Sequence, residues 1–137
     1  MNQYNHTKKL FANGEVTLST LKVMLVSGYT FSAAEEALTQ VTAVEVSGNG
    51  WPVGGPTIAN AAITVTNTND AKLDGDNVSI TASGGDIGPA TALVVVDSSS
   101  NKPLFHYEFP TSQTAGDGTP FNINWAAEGI ADWSDPA

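Results

Sequence analysis

The sequence predicts a mainly β fold, a single-domain antiparallel β-sandwich of the immunoglobulin-like or jelly-roll-like kind with one short helix near residues 33–40. Short runs of alternating apolar and polar residues recur along the chain, separated by turns rich in Gly, Pro and Asn. The length of 137 residues suits one core, since two cores of half that size would each be marginal. We therefore expect one domain over residues 1–130 and a polar tail at residues 131–137.

The two strongest strand signals lie at residues 21–27 and 92–96. The first run alternates, but Met24 and Val26 make its second face apolar too, so we expect both faces to be covered. The second run is continuously apolar and predicts the central strand. Polar loops are predicted at 98–102 and 111–119. The remaining strands are expected at residues 63–66, 72–74, 78–81, 105–109 and 121–125.

The predicted helix begins with a capping box. Ser32 and Glu35 have the spacing at which each side chain bonds the backbone N–H of the other. Strong helix formers follow, so we expect a helix over residues 33–40. Residues 3–12 predict one or two further helical turns, which stop at Asn13 and Gly14.

The composition argues against several classes of function. The five basic residues are all lysines, and 14 acidic residues give a net charge of −9. Without arginine, and with an acidic surface, the chain is not expected to bind nucleic acid. The absence of cysteine removes disulfides, thiolate zinc sites and cysteine nucleophiles. Because the apolar runs are too short for a signal peptide or a membrane span, we expect a soluble protein without membrane contact.

No motif for catalysis, and none for a cofactor or metal, is found in the sequence. The chain lacks the Gly-x-Ser-x-Gly elbow of serine hydrolases and the lysine of a phosphate-binding loop. Its two histidines, His6 and His106, have no metal-ligand spacing, and His106 is expected on the surface or at a sheet edge. We predict that the protein is not an enzyme and needs no cofactor.

An oxygen-rich stretch, residues 67–77, suggests calcium as an alternative. It contains Asn67, Asn69, Asp70, Asp74, Asp76 and Asn77. The ligand register of an EF-hand loop fails there. Asn and Asp are also the usual residues of hairpin turns, and that interpretation is favoured.

The three tryptophans raise the question of a binding surface. Trp125 shares its alternation with Phe121 and Ile123 and is expected in the core. Trp51 lies in a Gly/Pro-rich segment, residues 47–56, predicted to be an exposed loop, and Trp133 lies in the polar tail. For these two, a partner anchor and local packing remain open alternatives, and exposed aromatics beside Asn and Asp also suggest sugar binding.

Three segments of the chain resemble a family of small structural proteins encoded among the virion genes of tailed bacteriophages. They are KLFANG (9–14) with LKVMLVSGYT (21–30), VEVSGNGWPVGG (44–55), and FNINW (121–125) before Gly129 and Ile130. The resemblance spans the chain to about residue 130. The sequence departs from the family pattern at residues 131–137, which extend past the usual end.

The resemblance implies a non-enzymatic virion component with no catalytic residues to carry over. The preferred function is a capsid decoration or cement protein, assembled in the host cytoplasm, that binds the lattice of the major capsid protein and stabilises the head. Lys8, Lys9, Trp51 and Trp133 are the candidate partner-binding residues, although the lysine pair also fits a solvated surface. The chain could also form a homo-oligomer on the particle.

Two other functions stay open. One is a tail-, neck- or fibre-associated protein that binds a host receptor or glycan. The other is a carbohydrate-binding module of a secreted enzyme, which the lack of a recognisable signal peptide disfavours.

Overall fold

The structure, a computed structural model, describes residues 1–67 and 70–133 and is built mainly of antiparallel strands. The strands are β1 (Asn2–Gln3), β2 (Leu21–Val26), β3 (Glu45–Val46), β4 (Ala62–Asn67), β5 (Asp70–Asp74), β6 (Val78–Thr81), β7 (Ile87–Asp97), β8 (Lys102–Ala115), β9 (Pro120–Ile123) and β10 (Ala131–Trp133). The helices are α1 (Thr7–Ala12) and α2 (Thr39–Thr42), with a single 3-10 turn at Leu18–Thr20. The predicted mainly β, antiparallel fold is confirmed.

The strands form two packed layers, as in a β-sandwich. The first layer is a five-stranded sheet in the order β1-β8-β7-β2-β3. The second consists of a three-stranded sheet, β10-β5-β4, and a two-stranded sheet, β6-β9. Buried side chains of both layers meet in the main core. From the first layer these include Leu21, Val23, Leu25, Leu93, Val95 and Phe105, and from the second Leu73, Val78, Phe121, Ile123 and Ala131.

The outer face of the five-stranded sheet is also covered. Met24 and Val26 of β2 and Val94 and Val96 of β7 alternate with the residues of the main core and form a second cluster. The segment between β2 and β3, which contains α2, packs over this cluster through residues such as Val41. The expectation that both faces of residues 21–27 are covered is therefore confirmed, and the apolar run at 92–96 lies in a central strand.

The predicted helix over residues 33–40 is wrong, because only Thr39–Thr42 is helical in this region. The capping box does not form. The Glu35 N–H donates to the backbone oxygen of Ser32 at 3.2 Å, while the Glu35 carboxylate accepts a hydrogen bond from the Tyr29 hydroxyl at 2.7 Å. The Ala33 carbonyl accepts from the Asn5 N–H at 2.8 Å. A helix of two turns is only marginally stable by itself, so these tertiary bonds determine the backbone.

Other boundaries also differ from the prediction. Strand β8 continues to Ala115 through residues 111–115, which were expected as loop, because Gln113 and Ala115 pair with Ala90 and Ile87 of β7. Residues 131–133, expected as tail, form β10, which pairs with β5 and buries Ala131. Residues 134–137 lie outside the described residues. The N-terminal helical turns are found in α1, whose C-cap is Asn13, while residues 3–6 of the predicted stretch are not helical.

Candidate functional site

Lys8 and Lys9 are exposed on α1. Neither forms an ion pair with any residue of the described ranges, in which the pairs are Lys72–Asp74 and His106–Glu108. The helix is held against the sandwich by Leu10 and Phe11, which pack on the main core. The two ammonium groups are thus presented to solvent by a helix that is itself anchored, an arrangement that fits both of the interpretations left open by the sequence.

Trp133 lies beside the same helix. Its ring contacts Phe11 edge-on with ring centroids 5.1 Å apart, and it lies 6.1 Å from Phe105 of β8. Its Nε1–H donates to Oε1 of Gln3 at 3.0 Å. The side chain is therefore half-buried and packed locally against α1, the helix that carries Lys8 and Lys9.

Trp51 lies elsewhere, and the expectation that it occupies an exposed loop is wrong. Its side chain is 1% exposed and contacts Phe121 edge-on with centroids 5.4 Å apart. A tight hairpin, closed by the Gly48 N–H to the Trp51 carbonyl at 2.8 Å, turns the indole inward. Gly55 lets the following segment run beside β2, since a Cβ there would overlap the Val23 carbonyl. The buried indole is part of the core and is not presented to a partner.

An exposed apolar edge is found instead on β4. This strand lies at the edge of the three-stranded sheet and pairs with β5 on one side. Val65 is 81% exposed and Ile63 is 42% exposed. Soluble proteins commonly protect such edges with charge, proline or a covering segment, because an open strand can pair with another chain. The pattern of residues 63–66 predicted the strand, but it could not show which strand lies at an edge.

A cleft of about 420 Å³ opens between β8 and the segment that follows β9. Tyr107, Phe109 and Trp125 are the aromatic residues of its lining, and the exposed residues Asn122 and Asn124 also contribute to the lining. Trp125 was expected in the core. It packs against the core but remains half-buried, and its ring centroid lies 6.0 Å from that of Tyr107. The sequence contains no sign of this, because a half-buried ring at the end of a strand has the same alternation in FNINW as a buried one.

Two hydrogen bonds hold Trp125 in place. Its backbone N–H donates to Oδ1 of Asn77 at 2.9 Å, and its Nε1–H donates to the carbonyl of Asp76 at 3.0 Å. The Asn122 and Asn124 side chains are exposed and form no hydrogen bond with the rest of residues 1–67 and 70–133. The Tyr107 hydroxyl is buried and has no partner in those ranges, and burial raises its pKa. The cleft therefore combines fixed rings with polar groups that have unused hydrogen-bonding capacity.

His106 is buried, so the expectation of a surface or edge position is wrong. The segment that follows β2 covers the face of β8 on which His106 lies. The imidazole ring stacks on Phe31 of that segment, with ring centroids 5.1 Å apart. Its Nδ1 accepts from the Asn2 side chain at 3.0 Å, and its Nε2 lies 3.2 Å from Oε2 of Glu108. Burial lowers the pKa of His106, and the Glu108 carboxylate opposes that shift only in part.

Two buried tyrosines, Tyr4 and Tyr29, lie in the same region as His106. The Tyr29 hydroxyl donates to Glu35, so it accepts from the Tyr4 hydroxyl at 2.6 Å. Burial raises the pKa of Tyr4 to about 12, and burial together with the bonds to Tyr4 and Glu35 raises that of Tyr29. Both phenols therefore stay protonated near neutral pH. Tyr4 donates to Tyr29 in the segment that follows β2, and Tyr29 donates to Glu35 within that segment.

Several side chains of the oxygen-rich stretch form hydrogen bonds within the fold. Asp74 Oδ1 accepts from the Gly75 N–H at 2.9 Å, and Asp76 Oδ2 accepts from the Asn60 side chain at 2.7 Å. Asn69 lies outside the described residues. Within those residues, no three His, Cys, Asp or Glu side chains are grouped in a way that could hold a metal. Both helices of the described ranges are a few residues long, far short of a membrane span.

Comparison with known proteins adds no relative. A scan of the sequence against models of protein families finds no match, and no curated protein matches it significantly.

Proposed function

We propose that this chain is a non-enzymatic structural protein of a tailed-bacteriophage virion, and specifically a decoration protein that binds the lattice of the major capsid protein and stabilises the head. The proposal rests on the resemblance of its sequence segments to small virion proteins and on one structural observation. That observation is the open, apolar edge of β4.

The β4 edge is suited to contact with a neighbouring subunit. An incoming strand can pair with β4 on the side away from β5, which pairs with no other strand of the described residues, while Val65 and Ile63 supply apolar surface. The edge would be covered in the assembled particle, so the chain would not need to protect it by charge. A net charge of −9 helps keep unassembled copies soluble until that contact forms.

The expected effect on the particle follows from mass action. A protein that binds the assembled lattice and not its separated subunits shifts the equilibrium against disassembly. Many repeated contacts add avidity even when each is weak. This function requires binding to the lattice and no reaction of a substrate.

The test uses particles of the phage that encodes the chain. Val65→Asp places a charge on the exposed edge, so the free protein should keep its thermal midpoint while its copy number per particle falls at least about tenfold. Val53→Asp is the matched control, because Val53 is 78% exposed but lies in a loop outside β4. Gel densitometry measures the copies. Heating then measures retention of the packaged genome, which should fall in the Val65 variant and in a gene deletion.

Two outcomes would contradict the proposal. Normal incorporation of the Val65 variant would exclude the β4 edge as the contact. A copy number far below that of the major capsid protein, with unchanged heat resistance after deletion, would favour the second candidate. That candidate is a tail-, neck- or fibre-associated protein that binds a host receptor or glycan, and the aromatic cleft beside Trp125 is the observation in its favour.

A further inference from the structure

The cleft between β8 and the segment after β9 has the size of a small-molecule site. Its volume of about 420 Å³ lies within the roughly 300–1,000 Å³ that such sites occupy. Leu93 of β7 and Ile123 of β9 form part of its lining. The cleft is distinct from β4, the edge proposed to contact a neighbouring subunit, because no residue of β4 lines it.

The aromatic walls are preorganised. The Trp125 indole is held by its hydrogen bond to the Asp76 carbonyl, and the Tyr107 ring lies beside it at an angle of 57°. A ligand would therefore find the Trp125 ring already ordered and lose little free energy in fixing it. The negative face of an aromatic ring attracts the polarised C–H groups of a flat aliphatic surface. One face of a pyranose ring provides such a surface.

The rim of the cleft supplies the complementary polar groups. Each of Asn122 and Asn124 offers one carbonyl acceptor and two N–H donors, and neither side chain is engaged elsewhere in the described ranges. A hydroxyl group both donates and accepts, and an amide can meet both needs, whereas an ammonium group only donates and a carboxylate only accepts. Apolar rings at the wall and amides at the rim match the two kinds of surface that a sugar presents.

Charge narrows the ligand class. Glu108 is the single charged residue in the described lining of the cleft, and the chain carries a net charge of −9. Phosphorylated, sulfated or uronic sugars would approach against this field. A neutral sugar would not.

We propose that this cleft binds a neutral saccharide, with a pyranose ring stacked at Trp125 and its hydroxyls bonded by Asn122 and Asn124. The site does not depend on whether the chain decorates the head or belongs to the tail. Glycan recognition would give a decoration protein a second activity, attachment of the particle to saccharide-coated surfaces, in addition to binding the lattice.

The test is NMR titration of the isotope-labelled chain with lactose, cellobiose and N,N′-diacetylchitobiose, and with digalacturonic acid as the anionic comparison. At least one neutral disaccharide should shift the Trp125 indole N–H and the side-chain amides of Asn122 and Asn124. Asn122→Ala and Asn124→Ala should each weaken binding roughly three- to tenfold. Their thermal midpoints should stay unchanged, because both side chains are exposed. Asn5→Ala, an exposed asparagine outside the cleft, is the matched control and should bind as the unmodified chain does.

The proposal is overturned if none of the three neutral disaccharides shifts these signals. It is also overturned if digalacturonic acid binds more tightly than they do, or if both asparagine variants bind with unchanged affinity. Concentration-dependent shifts of the same signals without sugar would show that a second copy of the chain occupies the cleft, and would overturn it as well. Because the measurement uses the isolated protein, failure here leaves the particle experiments on β4 unaffected.

Discussion

The Nε1–H of Trp133 donates to Oε1 of Gln3 at 3.0 Å and so joins the last described strand of the chain to the first. Trp133 belongs to β10 and Gln3 to β1, which pair with different sheets of the sandwich. Phe11 of α1 packs against the Trp133 ring and lies near the ring of Phe105 in β8. This contact links the two layers and places β10 within the folded domain.

A double-mutant cycle tests that link. Trp133→Phe removes the donor but keeps an aromatic ring beside Phe11, and Gln3→Ala removes the acceptor. Each change should lower the free energy of unfolding by about 1 kcal/mol, with a coupling of about 0.5–1.5 kcal/mol. Chemical denaturation measures all four proteins. Strictly additive effects would mean that the hydrogen bond contributes nothing to stability.

Gly55 should tolerate alanine much less well than its neighbour. Both Gly54 and Gly55 have positive φ, 83° and 82°, so alanine is strained at either position by about 1 kcal/mol. A Cβ at Gly54 meets nothing within 4 Å, whereas one at Gly55 overlaps the backbone of Val23. We expect Gly55→Ala to cost at least about 3 kcal/mol and to expose Trp51.

Tryptophan fluorescence during thermal unfolding provides the measurement, with Gly54→Ala as the matched control. Equal losses in the two variants would show that backbone strain alone decides the outcome, and that the close approach to β2 does not matter.

Neutralising Asp97 should lower the free energy of unfolding more than neutralising any other acidic residue does. Its buried carboxylate accepts from the Thr20 hydroxyl at 2.7 Å, the Thr17 N–H at 3.1 Å, the Ser99 N–H and hydroxyl at 3.1 and 2.8 Å, and the Ser100 hydroxyl at 3.2 Å. Burial alone would raise the pKa of Asp97, but these bonds outweigh it and lower the pKa. The ionised form therefore stabilises the fold above the ordinary pKa of 3.8, and this contribution is lost as the pH falls through the folded-state value.

Asp97→Asn should destabilise the protein by about 2–4 kcal/mol at pH 7, because an amide NH₂ would face donors. It should also flatten the loss of stability on acidification below about pH 4. Glu36→Gln, at an exposed site, removes the same charge and serves as control. Urea unfolding at several pH values makes the comparison, and equal behaviour of the two variants would contradict the role assigned to Asp97.

His106 should make the fold sensitive to mild acid. Because burial lowers its pKa in the folded state, the unfolded chain binds the proton first as the pH falls below about 6.5. Stability is thus complete above that value and decreases toward the lower folded-state pKa, by at most about 1.4 kcal/mol per pH unit. The Asn2 amide, which donates to Nδ1, would lose its acceptor on protonation of that nitrogen.

The measurement is the free energy of unfolding between pH 7.5 and pH 5, compared with His106→Phe, which keeps a ring against Phe31. The variant should lose most of the pH dependence in this interval. Glu108→Gln should steepen it, because the carboxylate favours the protonated imidazole. A His106→Phe profile parallel to that of the unmodified chain would be inconsistent with this account.

Periodicity located the longer strands, but it missed the short strands β1, β3 and β10 and the full lengths of β7 and β8. It also predicted the surroundings of the strands poorly. Residues 21–26 and 92–96 were identified because two apolar faces leave a local signal in the sequence. The burial of Trp51 leaves no such signal, since a run of Gly and Pro has no period and the inward turn depends on contacts with β2 and Phe121. The predicted helix failed because Tyr29 competes with the capping geometry for the same Glu35 carboxylate.

The residues of the candidate site were likewise predicted only in part. Lys8, Lys9 and Trp133 were singled out by residue type, and the structure shows Trp133 packed against Phe11 of α1, the helix that carries the two lysines. Trp125 was assigned to the core because its alternation matches that of Phe121. A half-buried ring at the end of a strand has the same pattern as a buried one, so only the position of β8 beside it reveals the cleft.

The sequence alone determined the class of fold, the antiparallel strands and the acidic, cysteine-free surface, because these follow from residue type and local spacing. The tertiary structure decided which strand is an open edge, which aromatic rings line a cleft and that His106 is buried. Those properties depend on which residues distant in the chain come to lie against one another, and strand order leaves no periodic trace in the sequence.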